Sequence, residues 1–276
     1  MTNPTERVTE YRRLHERGCF VIPNPWDPGS ARALAAFGFP ALATTSSGHA
    51  WSTGRRDNHV PLDEALFHFR AIAASVEVPV NGDFEGGFAV APPDVSRNVA
   101  AAVTTGVAGL SIEDSTGHAD RPLFDLPLAV ERIRAARESI DRSGSGVLLT
   151  GRSEGFIVGA PNLDETIRRL TAYADAGAEC LYAPGIRDRD AIRAVVESVA
   201  PKPLNVLAGA DFYTVAELAG MGVRRISIGG ALARAAWTGF LQAAREIADQ
   251  GKFTQLGRAV SSAEIEGLFV SHSGSV

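Results

Sequence analysis

Asn81-Gly82-Asp83-Phe84-Glu85-Gly86-Gly87 closes the short apolar run 78–80, and Ser111-Ile112-Glu113-Asp114 closes the run 107–112 about one βα unit later. This predicts carboxylates at the C-terminal ends of two consecutive strands, with Gly86 and Gly87 freeing the backbone beside them. In a barrel of parallel strands those ends share one mouth, where active sites sit. Asp83, Glu85 and Glu113 converging there suit a hard divalent cation: Mg²⁺ takes oxygen ligands and keeps several waters, and Mn²⁺ accepts the same donors. One acidic cluster after a strand would read as a cap on the next helix. Two in register point to a metal site.

Outward from these segments, short apolar or β-branched runs alternate with stretches of helical period. Strands are expected at 20–23, 41–45, 78–82, 107–113, 147–151, 180–183, 204–207 and 225–228. Pro61-Leu-Asp-Glu, Pro92-Pro-Asp-Val and Asn162-Leu-Asp-Glu each open a helix, with acids in the first turn favoured by the macrodipole. Gly38, Gly106, Gly177 and Gly222 stand where helices should end before the next strand. Eight strands with helices between them predict a closed α/β fold, the (β/α)₈ TIM barrel. An open doubly wound sheet would carry a Gly-rich phosphate loop after its first strand, and Asn24-Pro-Trp-Asp is not one. A helix at 6–17 precedes the barrel, and helices at 231–250 and 261–270 come after the eighth strand. The second of these is surplus to a minimal barrel. Residues 1–276 therefore read as a single barrel domain, with 251–270 as a C-terminal helical extension and 271–276 as a disordered tail.

The 276 residues, 45% hydrophobic, suffice for one sizeable core. A net charge of −5 without basic runs gives no surface for nucleic acid. Nothing approaches a membrane span, and the polar, charged stretch 1–12 argues against a signal peptide. Cys19 and Cys180 lack metal-ligand spacing and read as buried free thiols of a cytoplasmic protein.

Residues just past the end of each strand should line the mouth. Thr44-Thr45-Ser46-Ser47-Gly48-His49 offers hydroxyls and amides that bind a carboxylate without adding charge; alternatively it is a plain Ser-rich turn. Asp57 either acts on the reacting group or pairs with Arg55 or Arg56. Arg152 offers a planar fork to a carboxylate or phosphoryl group, or else a salt bridge to Glu154 or Glu113. Asn205, inside the seventh strand, bonds a ligand or fills a structural network. The two lysines, Lys202 and Lys252, both lie away from the mouth, so a Schiff-base aldolase lacks its amine. Carbanion chemistry here needs a metal to hold negative charge. The Gly229-Gly230 pair reads as close helix–strand packing rather than a phosphate site.

Thr45-Ser46-Ser47-Gly48, Gly54-Arg-Arg-Asp57, Asp83-Phe-Glu85-Gly-Gly, Ile112-Glu113-Asp114, Arg152-Ser-Glu154 and Pro203-Leu-Asn205-Val-Leu207, in this order and spacing, resemble the isocitrate lyase/phosphoenolpyruvate mutase superfamily over nearly the whole barrel. The resemblance implies a Mg²⁺-dependent barrel that binds small 2-oxo acids or their enolates, assembled as a homo-oligomer, a tetramer with helix exchange or a dimer. It implies Asp83 as the direct metal ligand, with Glu85 and Glu113 nearby through water. Thr45, Ser46 and Ser47 would then hold the substrate carboxylate, Asp57 would lie beside the reacting group, and Arg152 would clamp a second anionic group.

The chain departs from the pattern after the strand ending in Glu113. There it reads Asp114-Ser-Thr-Gly-His118-Ala-Asp120-Arg121-Pro-Leu-Phe-Asp125, without the Lys and Cys of the isocitrate lyases or the Lys and Asn of the phosphonomutases. His118 or Arg121 would supply a proton or an anion contact when this loop closes. The expected activity is a Mg²⁺-dependent carbon–carbon lyase, with Asp57, Arg152 and His118 as candidate catalytic residues. The alternatives are phosphonopyruvate hydrolase or mutase chemistry, and a non-catalytic 2-oxo-acid-binding barrel.

Overall fold

The strands of the computed structural model, which describes residues 3–269, are β1 (Phe20–Ile22), β2 (Leu42–Ala43), β3 (Val80–Asp83), β4 (Gly109–Glu113), β5 (Leu148–Arg152), β6 (Cys180–Tyr182), β7 (Leu204–Leu207) and β8 (Arg225–Ser227). The helices are α1 (Pro4–Glu16), α2 (Pro28–Ala36), α3 (Ser46–Ser52), α4 (Leu62–Ser75), α5 (Pro92–Ala102), α6 (Leu126–Ser143), α7 (Leu163–Asp175), α8 (Arg189–Val199), α9 (Val215–Gly220), α10 (Ala231–Gln250) and α11 (Ser262–Gly267). All strand pairs are parallel, β2 through β8 in sequence order, and β8 returns to β1 with Ile22 opposite Ser227. The remaining seam is bridged by Ala43 N–H donating to Pro23 O at 3.0 Å. The sheet thus closes into the (β/α)₈ barrel that the repeated units predict.

Local signals act where they stand. Asn162 caps α7, its side chain accepting from Glu165 N at 2.9 Å, and Gly106 leaves the turn after α5 at φ +89°. The second strand is shorter than expected, because Thr45 turns out of the sheet to cap a helix. Its hydroxyl accepts from Gly48 N at 3.3 Å, so Ser46–Ser52 is helix α3 rather than a Ser-rich turn. After α10, a 3₁₀ turn (Thr254–Arg258) and the short α11 occupy the stretch expected as a helical extension. The expected tail at 271–276 lies outside the described residues.

Strand side chains alternate between the barrel interior and the helix layer. The interior is sealed below by α1, whose Tyr11 is fully buried. A Cβ at Gly109 would lie 2.5 Å from the Tyr11 ring, so only glycine admits this plug. Arg225 completes the floor, donating to Asn205 Oδ1 at 2.9 Å, Tyr11 OH at 2.8 Å and Thr150 Oγ1 at 3.1 Å. Lys202 precedes β7 and Lys252 lies beyond α10, so neither stands at the mouth. Cys19 and Cys180 are free thiols. No helix among the described residues is long and apolar enough to cross a membrane.

Candidate active site

Two-residue periodicity assigns the site. On β3, β4 and β5 the interior pairs are Asn81 and Asp83, Ser111 and Glu113, and Thr150 and Arg152, the charged member standing one step nearer the mouth each time. Above the polar floor opens a cavity of about 270 Å³, whose lining includes Ser46, Ser47, Asp57, Asp83, Arg152 and Asn205.

Arg152 is its electrostatic centre. The guanidinium faces Glu154 through Nε and through Nη2 (3.1 Å to Oε2). Its Nη1 lies 3.3 Å from both Asp83 Oδ1 and Glu113 Oε2, and its Cζ lies 5.2 Å from the centre of the Tyr182 ring. Burial alone would weaken its hold on the proton, but the surrounding carboxylates, Glu154 foremost, raise it well above the ordinary arginine value. Both salt bridges weighed from the sequence are therefore present at once.

Asp83 is fixed from two directions. Its Oδ2 accepts from Ser46 N at 3.0 Å, and its own N–H donates to Thr44 Oγ1 at 2.9 Å. The Ser46 amide at the start of α3 thus bonds Asp83, and Ser46 lines the cavity. The Ser47 hydroxyl, 3.1 Å from Thr45 Oγ1, lines the cavity.

Glu85 departs from the expected convergence. Its backbone is left-handed, at φ +45°, and its side chain lines a small adjoining cavity with His49, His68 and Asp83 rather than the main one. Among the described residues no three His, Cys, Asp or Glu side chains close around a single point. The trio is a loose acidic shell, with Asp83 inside the cavity, Glu113 beside Arg152 and Glu85 behind. The bend that turns Glu85 away is held by Arg132, only 1% exposed, which donates to Glu113 O at 3.1 Å, to Ala89 O at 2.9 Å and to Gly86 O. Arg132 also stacks 4.1 Å from the Phe124 ring.

Crowded carboxylates hold their protons. Burial pushes Glu85 up to about 8, helped by Asp83 and Asp57. Burial raises Glu113 well above the usual range, with Arg152 opposing and Glu154 adding to it. Glu154 is raised by burial as well. Asp57 sits exposed on the rim; enclosure by the cavity lip, then the charge of Asp83, still raises it. Such excess negative charge fits a hard cation that takes one or two carboxylates directly and the rest through water. On that donor chemistry Asp83 would hold Mg²⁺, with Glu85 and Glu113 in the outer shell.

Of the other expected residues, some reach the cavity and some do not. Asp57 lines it and is not paired with Arg55, which forms a 2.6 Å salt bridge to Glu64. Asn205 lines the cavity too, but its amide donates to Ser227 and its oxygen accepts from Arg225, so both polar ends serve the floor network. His118 is exposed on the loop after β4 and does not line the cavity. That loop folds back through a Ser115–Leu123 bridge. Its base is pinned by Asp114, which accepts from Tyr173 OH at 2.5 Å, Arg169 at 3.2 Å and Glu154 N at 2.8 Å. Tyr182, Ser111, Arg132 and Ile157 were not singled out from the sequence. Ser111 was within reach, two residues before Glu113 on the same face; Arg132 lay hidden among helix arginines.

The family profile described as phosphoenolpyruvate phosphomutase matches residues 11–248. A Burkholderia cenocepacia J2315 protein provisionally described as a lyase/mutase superposes with a TM-score of 0.93 at 45% identity, over 98% of each chain. The structure of 2,3-dimethylmalate lyase, a member of the PEP mutase/isocitrate lyase superfamily, superposes with a TM-score of 0.84 at 26% identity, covering 97% of this chain and 95% of that one. The oxaloacetate decarboxylase of Bradyrhizobium diazoefficiens is 30% identical over 68% of this chain and 69% of its own. Named relatives in this group include a 2,3-dimethylmalate lyase, an oxaloacetate decarboxylase and an oxaloacetate acetylhydrolase. The chain belongs to the phosphoenolpyruvate phosphomutase family, within the phosphoenolpyruvate mutase/isocitrate lyase superfamily.

Proposed function

We propose that this protein is a Mg²⁺-dependent lyase that cleaves a carbon–carbon bond of a small 2-oxo or 2-hydroxy carboxylic acid through an enolate. The observation that carries this reading is the surplus of carboxylates around the single guanidinium of Arg152 at the mouth. An anionic substrate would be repelled from that shell unless a cation joined it. Asp83 would hold such a cation, with Glu85 and Glu113 as the outer carboxylates, and it would supply positive charge where negative charge develops on the substrate. Ser47, with Thr45 behind it, orients the substrate carboxylate. Arg152 keeps the acids in place and presents its remaining Nη2 N–H to the substrate.

Asp57, on the rim with a raised pKa, takes the proton of the substrate hydroxyl as the bond breaks. The bond electrons become the enolate, which takes at carbon the proton that Asp57 received; a 4-hydroxy-2-oxo acid then gives a 2-oxo acid and a carbonyl compound, and a 2-hydroxy diacid gives a 2-oxo acid and a second carboxylic acid. The closed position of the 114–125 loop brings His118 and Arg121 over the cavity. Lyase relatives support this class of reaction. The family profile itself favours a second reading, P–C chemistry on a phosphonate; the loop 114–125, which carries neither Lys nor Asn, weighs against it.

Assembly is read from α10. Only Ala233 of this helix is buried, while Trp237, Phe240, Leu241 and Ile247 are exposed. We propose that a second copy of the chain covers this face in a homo-oligomer.

The test is a panel of 2-oxo and 2-hydroxy acids with Mg²⁺, monitored by release of pyruvate or glyoxylate, with phosphonopyruvate monitored by ³¹P NMR alongside. Release from one of the carbon acids is expected. Asp83→Ala should reduce it by about 100-fold or more and weaken Mn²⁺ binding seen by electron paramagnetic resonance. No release across the panel, or full Mn²⁺ affinity in Asp83→Ala, overturns the proposal.

A further inference from the structure

Tyr182 ends β6 in the wall of the cavity, with only 8% of its surface exposed. Across the sheet it stands beside Arg152 on β5 and Asn205 on β7. The Arg152 guanidinium meets the ring, its Cζ 5.2 Å from the ring centre, and makes no hydrogen bond to the hydroxyl.

The hydrogen bonds behind that hydroxyl take their direction from the floor. A guanidinium can only donate. Arg225 Nε donates to Asn205 Oδ1 at 2.9 Å, which leaves the Asn205 amide nitrogen as a donor, and it donates to Ser227 Oγ at 2.9 Å. Ser227 donates in turn to Tyr182 OH at 3.5 Å. The series of donors therefore ends in the phenol, and among the described residues the Tyr182 O–H finds no acceptor. A buried phenol hydroxyl ordinarily has a partner. Burial pushes its pKa up to about 12, so it keeps the proton it has to offer.

We infer that Tyr182 donates a hydrogen bond to an uncharged oxygen on the arm of the substrate that is cut away, the C4 hydroxyl of a 4-hydroxy-2-oxo acid. This deepens the lyase reading and rests on it for the orientation of the acid end, toward Ser47 and Asp83. The arm beyond that end then reaches toward β6, which lies across the ring from β2. A donor on the arm's oxygen turns that oxygen's own proton away from Tyr182, free for the base, and holds the carbonyl oxygen that forms. An arm without oxygen would strip water from the phenol and return nothing. Tyr182 adds to Arg152 rather than replacing it: the guanidinium suits an anionic group and the phenol a neutral one.

The experiment compares 4-methoxy-2-oxobutanoate with 2-oxohexanoate by calorimetric titration of the full chain with Mg²⁺. The two acids match in length; the first carries an oxygen on C4 where the second has a methylene. The methyl cap leaves no hydroxyl proton to remove, so the proposed cleavage does not consume the ligand. The ether should bind about tenfold tighter. Tyr182→Phe, which removes only the hydroxyl, should bind both acids alike and keep its affinity for 2-oxohexanoate. Equal binding of the two acids by the unaltered protein, binding of neither, or a preference that persists in Tyr182→Phe overturns the inference. Loss of both acids in Tyr182→Phe overturns it too, because a hydroxyl that serves the arm's oxygen leaves the alkyl acid bound. The ether preference and its loss in Tyr182→Phe, without turnover on any acid of the panel, would instead sink the lyase reading alone.

Discussion

Arg152 and Arg225 lie inside the same barrel, and their surroundings are opposite. Arg152, near the mouth, is ringed by Asp83, Glu113 and Glu154. Arg225, at the floor, bonds Asn205, Tyr11, Thr150 and His15, without a carboxylate among its hydrogen-bond partners. A buried guanidinium with neutral acceptors for its N–H groups is satisfied as built, and such a network fixes one packing of the core. Three carboxylates around one cation, Glu154 buried and Asp83 and Glu113 partly so, are not satisfied, since they are desolvated and repel one another. The floor is therefore structure, and the mouth is a site that awaits charge.

Removing each arginine should expose this difference. Arg152→Met takes from the acidic shell the cation that faces Asp83, Glu113 and Glu154, and turnover should fall by about 100-fold or more. The thermal midpoint of the metal-free protein should also fall, as uncompensated carboxylates remain. Saturating Mg²⁺ should restore part of that midpoint, because the cation replaces some of the lost charge. Arg225→Met should cost stability chiefly, about 1–3 kcal/mol for the acceptors left bare on Asn205, Tyr11 and Thr150. At this chain length that is about 2–4 °C of midpoint for each kcal/mol. Mg²⁺ should stabilise this variant no more than it stabilises the unaltered protein. Calorimetric melts of both variants with and without Mg²⁺ decide the matter; equal rescue of the two would erase the distinction between mouth and floor.

Much of this was legible in the letters. Strand ends could be read because apolar runs stop at Asp83 and Glu113, and helix starts because Asn162 and its neighbouring acids mark a cap. The barrel could be read from repetition. What could not be read was direction within a loop. Glu85 sits two residues after Asp83, and strand periodicity would send both into the cavity. The left-handed turn at Glu85, held by Arg132 reaching across from α6, sends it behind instead. That clamp joins residues 46 apart in sequence, and no local pattern announces it. Ser46 shows the same limit: the Thr45 cap makes 46–52 a helix, and the Ser46 N–H donates to Asp83, a contact across 37 residues that no local pattern announces. The floor escaped because Arg225 and Tyr11 lie at opposite ends of the chain.

The smallest effect expected concerns the outer acid of the mouth. Glu85 titrates at about 8 in the folded protein, against an ordinary 4.5, because burial and the charges of Asp83 and Asp57 disfavour its ionised form. Between those values the folded protein keeps a proton that the unfolded chain has released, so the stability of the metal-free protein should decline as pH rises from about 4.5 to 8. Cation binding has the reverse dependence. It requires the carboxylate, so Mg²⁺ affinity should climb over the same window, and binding at pH 7 should expel a proton. Titrations in buffers of different ionisation enthalpy measure that proton directly. Glu85→Gln should abolish its release, with only a modest loss of affinity if Glu85 acts through water. Release that persists in Glu85→Gln would assign the proton to another raised acid of the mouth, Glu113, Glu154 or Asp57, and would place Glu85 outside the metal shell.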